Sequence, residues 1–441
     1  MRKGAGMKIT RTLTLYIVII ACLIVFGCGS VAPGNPDIAA TAESNKTAEI
    51  ETTSEETISE EAASEETTSQ EPDAEVSEPA GEVILGDEQF DKYLPLLEGK
   101  RVALFTNHTG IVGDENSGIG ETEGDTTLIH FGWNADGEEI TYGEHILDAL
   151  LERDVDVTAV FSPEHGFRGT ADAGAGVEDG IDEKTGVPIL SLYSGGGHSP
   201  SAADLDRFDT LLVDMQEEYK SGVGILPIPV VYGMTCGELA QMINGEGWLD
   251  AGKDACDLTV IPCGNYTHDT KTMLIKSPSP NIKDMKAVYL YASTCFLENT
   301  AVSVGRGTEY PFEIYGSPYL EGVDGFEFSF TPESMSGASD PPFEGEECYG
   351  VDLRDIPVEE IWNAGINLEY LISAYNAVRE ASPETSFWGR PDGGQYWIDK
   401  LSGSDRLRKM IEEGYTAEEI KASWQEELEI FKEERKPYLL Y

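Results

Sequence analysis

Basic residues are scarce in this chain: 30 Lys and Arg stand against 81 Asp and Glu, a formal net charge of −51 over 441 residues. That balance argues against nucleic acid as a partner, because the phosphate backbone is held by clustered Lys and Arg. It also leaves no basic patch for a lipid surface. Cysteine is sparse too, 7 in all, and no C-x-x-C pair occurs, so a zinc site of paired thiolates has no support. Setting aside Cys22 and Cys28, the remaining Cys236, Cys256, Cys263, Cys295 and Cys348 read as small buried hydrophobes, with at most two disulfides among them. There is no G-x-S-x-G elbow, which disfavours a serine esterase. No H-E-x-x-H pattern backs a metal site built on His108, His165 and Glu164. Gly195-Gly196-Gly197-His198 lacks the Lys-Ser/Thr of a phosphate loop and the full dinucleotide spacing. No metal or cofactor is expected.

Long apolar runs are also missing, apart from one near the start. It extends over 13–26, follows Arg2, Lys3, Lys8 and Arg11, and leads into Gly27-Cys28-Gly29-Ser30. Too short to span a bilayer comfortably, it reads as a bacterial lipoprotein export signal with Cys28 as the lipid-bearing residue. An uncleaved N-terminal anchor is the alternative, and both place the folded part outside the cytoplasmic membrane. Residues 29–81 are Ala, Ser, Thr and Glu with almost no large apolar side chain, a composition that cannot offset the ordering entropy of folding. They read as an extended acidic tether. What remains is more than one core needs, and the expected division is 82–233 and 234–441.

Apolar β-rich runs at 101–106, 155–161, 187–193 and 210–215 alternate with helical patterns at 143–152 and 201–207. That alternation predicts an α/β fold, a Rossmann-like parallel sheet with helices on both faces. After Met234 the pattern changes to short strands and loops, ending in a long charged helix near 417–434, and reads as a smaller α+β domain. A Gly- and acid-rich insertion at 116–142 resembles a calcium loop only superficially. Gly132 and Gly143 stand where the first and twelfth ligands would require carboxylates.

The segment richest in chemistry is Phe161-Ser162-Pro163-Glu164-His165-Gly166-Phe167-Arg168-Gly169, which sets an acid, an imidazole and a guanidinium directly after an apolar strand. Sites of open α/β sheets lie at such strand ends. Acid–base chemistry at such an edge takes one carboxyl to give a proton and a second to act as nucleophile or base. Glu164 is the candidate proton donor. His165 could tune it or bind a sugar hydroxyl, and Arg168 could hold a substrate carboxylate. Asp172 and Asp214 are candidates for the second carboxyl, although Asp214 suits a structural hydrogen bond equally well. Asn107 and His108 end the first strand, and Arg306 sits in a Gly-Arg-Gly turn that could reach the cleft from the second domain. A surface salt-bridge cluster is the plain alternative for the acid, imidazole and guanidinium group.

These motifs, with Thr106-Asn107-His108-Thr109-Gly110 and the run from Ala171 to Gly176, resemble the signature of the NamZ-type exo-β-N-acetylmuramidases, long grouped as a domain of unknown function. Leu226-Pro227-Ile228-Pro229, Tyr232-Gly233-Met234-Thr235, Ser277-Pro278-Ser279-Pro280-Asn281, Gly305-Arg306-Gly307-Thr308 and Pro311-Phe312-Glu313 extend the resemblance in order through the rest of the chain. It implies an exo-acting glycosidase of cell-wall turnover that releases terminal N-acetylmuramic acid from muropeptides, with Arg168 a candidate for the lactyl carboxylate. One departure stands out. After Asp214-Met215-Gln216 the family pattern continues with a helix, a further strand and a Pro-rich turn, whereas this chain passes to Glu217-Glu218-Tyr219. About forty to fifty residues are absent, and the crossover of roughly ten or more residues that a parallel strand needs is absent with them. The sheet is therefore expected to lose one βα unit. The alternative function is a wall-associated lipoprotein that binds muropeptides without turning them over.

Overall fold

The computed structural model describes residues 16–20 (backbone only), 83–113, 143–163, 166–168, 178–192, 200–214, 226–249, 256–270, 274, 276–391 and 393–441. In the first part, chain order runs β1 (Tyr16–Ile20), α1 (Phe90–Leu97), β2 (Val102–Thr106), β3 (Ile111–Val112), β4 (Glu144–His145), α2 (Ile146–Glu152), β5 (Val157–Ser162), β6 (Gly180–Ile181), β7 (Pro188–Ser191), α3 (Ala202–Leu205), β8 (Thr210–Asp214), α4 (Cys236–Gly245) and β9 (Asp257–Ile261).

Seven of these strands form one sheet in the order β6-β7-β5-β2-β8-β1-β9. Every pairing is parallel except the short β6 against β7. From β2 onward the spatial order is third, second, first, fourth, a gap, then last, which is the doubly wound arrangement with its fifth position vacated. The β-rich runs expected at 101–106, 155–161, 187–193 and 210–215 supply β2, β5, β7 and β8. Successive side chains of a strand point to opposite faces. Val102 and Leu104 accordingly pack with Tyr93, Leu147 and Leu150 from α1 and α2, while Ala103 and Phe105 pack with Phe161, Leu205 and Phe208 on the other side. Fully burying a side chain such as Leu104 or Leu212 contributes roughly 1.5–3 kcal/mol.

The gap between β8 and β9 is where the absent family segment was expected to cost the sheet a strand. It is filled by β1, which comes from the apolar run read as an export signal. Val18 stands opposite Leu212 on one side and Thr259 on the other. The strand sequence Tyr-Ile-Val-Ile-Ile is rich in β-branched residues, and the slot offers two rows of backbone groups that need partners. Leader and strand thus draw on the same residues. No helix among the described residues is long and apolar enough to cross a membrane.

The antiparallel pair of β3 and β4 closes the base of the insertion, whose residues 114–142 lie outside the described ones. A second core is built from α5 (Met285–Thr294), a three-stranded antiparallel sheet of β10 (Ile314–Ser317), β11 (Phe328–Phe330) and β12 (Cys348–Asp352), and helices α6 (Val358–Ala364), α7 (Glu369–Ala381), α8 (Trp397–Leu401), α9 (Arg406–Glu413) and α10 (Ala417–Ser423), while α11 (Gln425–Arg435) buries Phe431 against Tyr232 and Met242. One expectation is corrected here. The long terminal helix is two helices that meet at Trp424. β9 belongs to the large sheet, and the buried residues of the second core begin at Ile282. Cys295 and Cys348 are buried, and Cys236, Cys256 and Cys263 are half-buried.

Candidate active site at the carboxyl edge of the sheet

The topology reverses direction between β2 and β8, so the crevice outside their carboxyl ends is where a ligand of this fold is expected. β2 ends at Thr106, paired with Asp214 at the end of β8, while Phe105 pairs with Phe161 one residue before the end of β5. Three neighbouring strands therefore deliver Asn107 and His108, the segment from Pro163 onward, and Asp214 to one edge.

Each arrival is fixed by local hydrogen bonds. Asn107 is completely buried, and its Oδ1 accepts from the Thr109 amide (2.9 Å) and hydroxyl (2.6 Å) in an Asx turn. The Asn107 carbonyl accepts from His145 Nε2 at 2.8 Å, and His145 Nδ1 accepts from the Leu147 amide, which assigns the proton to Nε2. Burial pushes the His145 pKa down to about 4, so the ring is neutral at physiological pH. His108 Nε2 lies 3.0 Å from the Ser277 carbonyl, linking the sheet edge to the segment that leads into the second core. A Cβ on Gly110 would collide with Thr106 Oγ1 and come within 3.2 Å of Asp214 Oδ2, so only glycine fits beside that carboxyl.

Asp214 has no exposed surface. Asp87, 1% exposed, lies close enough for mutual repulsion. Its carboxyl is held well above the usual range by burial and then by the charge of Asp214. The segment that carries Asp87 is anchored by Tyr93, whose hydroxyl donates to the Asp87 carbonyl at 2.8 Å, and by Gln89, which donates to the Pro262 carbonyl beyond β9.

Glu164 and His165 lie outside the described residues, as do Asp172 and Cys28. Both flanks of the Glu164-His165 pair are described. Pro163 is buried before it; Gly166, at φ 77°, and buried Phe167 follow it. The Phe167 ring packs edge-on against His145, with centroids 4.5 Å apart. Arg168 forks onto Asp182, at 2.9 and 2.8 Å, and reaches Asp148 at 3.4 Å. Lys184 joins the same Asp148 at 2.9 Å. The Arg168 guanidinium holds the Asp182 carboxyl down at about 2, and Asp148 also stays below its ordinary value because Lys184 and Arg168 outweigh its burial. Arg306 sits in the second core between the positive-φ glycines Gly305 and Gly307, paired with Glu298 at 2.6 Å and stacked over Phe312.

The structure thus brings Asn107, His108 and Asp214 to the edge from which Glu164 departs, seats Arg168 on two acids there, and keeps Arg306 in the second core. Asp87, Asp148, Asp182, Asp284 and Glu313 were not singled out as site residues from sequence. The signals available were the Pro311-Phe312-Glu313 motif and the capping position of Asp284 before an apolar helix. No group of three or more His, Cys, Asp or Glu among the described residues could hold a metal ion.

Comparison with known proteins adds the family. The C-terminal domain description of the exo-β-N-acetylmuramidase NamZ matches residues 289–441, and its N-terminal domain description matches 134–218 and 215–286. The chain belongs to the NamZ family. The two N-terminal matches of this NamZ-family chain meet at 215–218, immediately after β8, where the sequence departs from the family pattern. The peptidoglycan β-N-acetylmuramidase NamZ of Bacillus subtilis (strain 168) is 30% identical, with 80% of this chain and 90% of that protein covered. A crystal structure of a DUF1343 family protein from Bacteroides fragilis NCTC 9343 is 41% identical, with 82% of this chain and 99% of that chain covered and a TM-score of 0.66. A second DUF1343 structure from that organism, 22% identical, shares the fold at a TM-score of 0.58, covering 81% of this chain and 99% of its own.

Proposed function

We propose that this chain is an exo-acting glycoside hydrolase that releases terminal N-acetylmuramic acid from peptidoglycan fragments. The observation that carries the reading is that β5, which in sequence leads directly into Pro163 and Glu164, ends at the carboxyl edge beside the ends of β2 and β8, in a chain of the NamZ family. In this reading Glu164 protonates the leaving oxygen, and His165, Asn107 and His108 border the sugar site. Arg168, already forked onto Asp182, acts first by holding the loop that carries Glu164. A carboxyl without exposed surface does not reach a sugar, so Asp214 acts through its field and Asp172 is the remaining candidate for the second carboxyl. The substrate is a muropeptide with a free non-reducing end. The enzyme is held outside the cytoplasmic membrane by a lipid on Cys28, with 29–81 as the tether; cleavage before Cys28 takes Tyr16–Ile20 with it, so in this reading β1 belongs to the uncleaved chain.

The second reading, a muropeptide-binding protein without turnover, is favoured by one observation: the two N-terminal family matches meet at 215–218, immediately after β8, and β1 occupies the sheet between β8 and β9. Release of N-acetylmuramic acid from a MurNAc-GlcNAc disaccharide, measured for the full chain with Cys28→Ala and for its Glu164→Gln variant, separates the two. Turnover that Glu164→Gln abolishes while the Tm is unchanged supports the hydrolase. A folded protein that binds the disaccharide without releasing sugar supports the binder.

A further inference from the structure

One segment, 277–283, leads from the sheet edge, where it accepts the hydrogen bond of His108, into the second core and ends at Asp284; another, 305–312, lies within the second core, carries Arg306 and ends at Glu313. Both acids are buried, Asp284 at 1% and Glu313 at 0% exposure. Asp284 caps α5, its Oδ1 accepting from the Ala287 amide at 2.8 Å. Glu313 lies against Asp284, yet as two carboxylates they would leave both Glu313 oxygens without a donor. The charged groups facing Glu313 are Asp284 and Lys286 from α5 and Arg354 from the turn after β12. Both cations are engaged elsewhere: Arg354 forks onto Asp352 at 2.8 and 2.6 Å, and Lys286 Nζ donates to the Ile356 carbonyl at 2.6 Å. A buried acceptor pair with no donor is costly, and a single proton supplies the donor that is missing.

We propose that Asp284 and Glu313 share one proton and serve as positioning residues, a carboxylic acid–carboxylate clasp that ties the segment contacting His108 to the segment bearing Arg306. The clasp deepens the glycosidase reading and rests on it only for its effect on turnover. Burial first, and the Asp284 charge second, push Glu313 up to about 8 against the pull of Arg354, so the shared proton is retained at neutral pH. The backbone beside it is strained accordingly. Phe312, buried at 1%, has φ 68° and is held there by its amide N–H, which donates to the Val304 carbonyl at 2.7 Å, and by the Tyr291 ring at 4.8 Å. Non-glycine residues stay in that region only where the surroundings over-determine them.

The test is thermal unfolding of the full chain from pH 5 to 9 for wild type, Glu313→Gln and Glu313→Ala, with kcat and KM followed in parallel. A group whose pKa is raised on folding binds its proton more tightly in the native state. Its stabilisation is therefore full near pH 4.5, is lost progressively as pH rises, and is gone above about 8. The wild-type Tm is expected to fall by roughly 5–10 °C more than that of Glu313→Gln between pH 5 and 8, because the glutamine amide donates to Asp284 at every pH. Glu313→Ala is expected to be weaker than Glu313→Gln throughout. Parallel wild-type and Glu313→Gln curves overturn the clasp whatever the enzyme does. In wild type, kcat is expected to drop about tenfold across that window with KM little changed, and to stay level in Glu313→Gln. A kcat profile identical in the two proteins overturns the positioning role. If wild type shows no turnover at all, the hydrolase reading fails while the unfolding curves still judge the clasp.

Discussion

Replacing Arg168 with methionine separates its two possible jobs. The methionine keeps an unbranched side chain beside Phe167 but removes the fork onto Asp182 and the contact with Asp148. Asp182 is 5% exposed, and Arg168 first, with the Thr185 hydroxyl and amide behind it, holds its pKa at about 2, roughly two units below an ordinary aspartate. At 1.36 kcal/mol per unit, that is on the order of 2–3 kcal/mol. The Arg168 side chain is 34% exposed, so solvent screening brings the expected net loss nearer ~2 kcal/mol. The sign follows from a lowered folded-state pKa: the stabilisation is present above about pH 4 and is lost as pH falls through 2. Urea unfolding of wild type and Arg168→Met should therefore differ by ~2 kcal/mol at pH 7 and converge near pH 2. Because the same guanidinium ends the loop that carries Glu164, kcat should fall by about 10- to 100-fold while KM changes little. A difference that persists unchanged at pH 2 refutes the electrostatic argument. A variant that unfolds like wild type but binds muramyl substrates more weakly refutes the positioning role, and would assign Arg168 to the lactyl carboxylate instead.

Two further outcomes follow from the chain ends. Removing the last four residues, from Tyr438 to Tyr441, takes away the hydroxyl that accepts from the Cys263 amide, the Leu440 amide that donates to buried Glu238, and the Tyr438 contact with Glu246. It also removes Tyr438 and Leu439 from the cluster around Tyr232, Met242 and Phe431. A loss of about 3–5 kcal/mol by chemical denaturation is expected, and an unchanged midpoint would show that the tail is not a strap. Removing residues 1–28 takes β1 from between β8 and β9. Amides of 210–214 and 257–261 should then exchange faster and the Tm should fall; identical exchange with and without those residues would mean that β1 does not occupy the slot.

The strands that carry the site were legible because each is a short apolar run bounded by turn residues, and the doubly wound order followed from alternation with helices. Three features were not legible, each for a physical reason. The seat of Tyr16–Ile20 depends on a vacancy that non-adjacent strands create, and the residues that make a good export leader also make a good strand. The partners of Arg168 lie 14 and 20 residues away, on β-sheet and helix termini that only the fold brings together. The raised pKa of Glu313 comes from burial and from an aspartate 29 positions earlier, so Pro311-Phe312-Glu313 could be noticed as a motif without its proton being foreseen.

The position of the break bears on which functional reading to prefer. The absent segment would have occupied the sheet on the far side of β8, between β8 and β9. The strands that deliver Asn107, His108 and the Glu164 loop are β2 and β5, and their mutual register is complete from Val102 against Val157 to Phe105 against Phe161, with one shift after Val102. The anchors of the loop, Asp148 on α2 and Asp182 after β6, lie on the same side of β2 and away from the break. What the break touches is Asp214, whose carboxyl is shielded by Gly110 and Thr106 and faces Asp87. The half of the edge that β2 and β5 build, where the proposed proton donor follows in sequence, is therefore built independently of the half where the chain departs from the family. A chain so divided is expected to keep the acid in place and to lose, if anything, contacts to the distal part of the substrate. Short MurNAc-GlcNAc substrates should then be turned over nearly as well as long fragments, whereas an intact crevice would favour the longer ones.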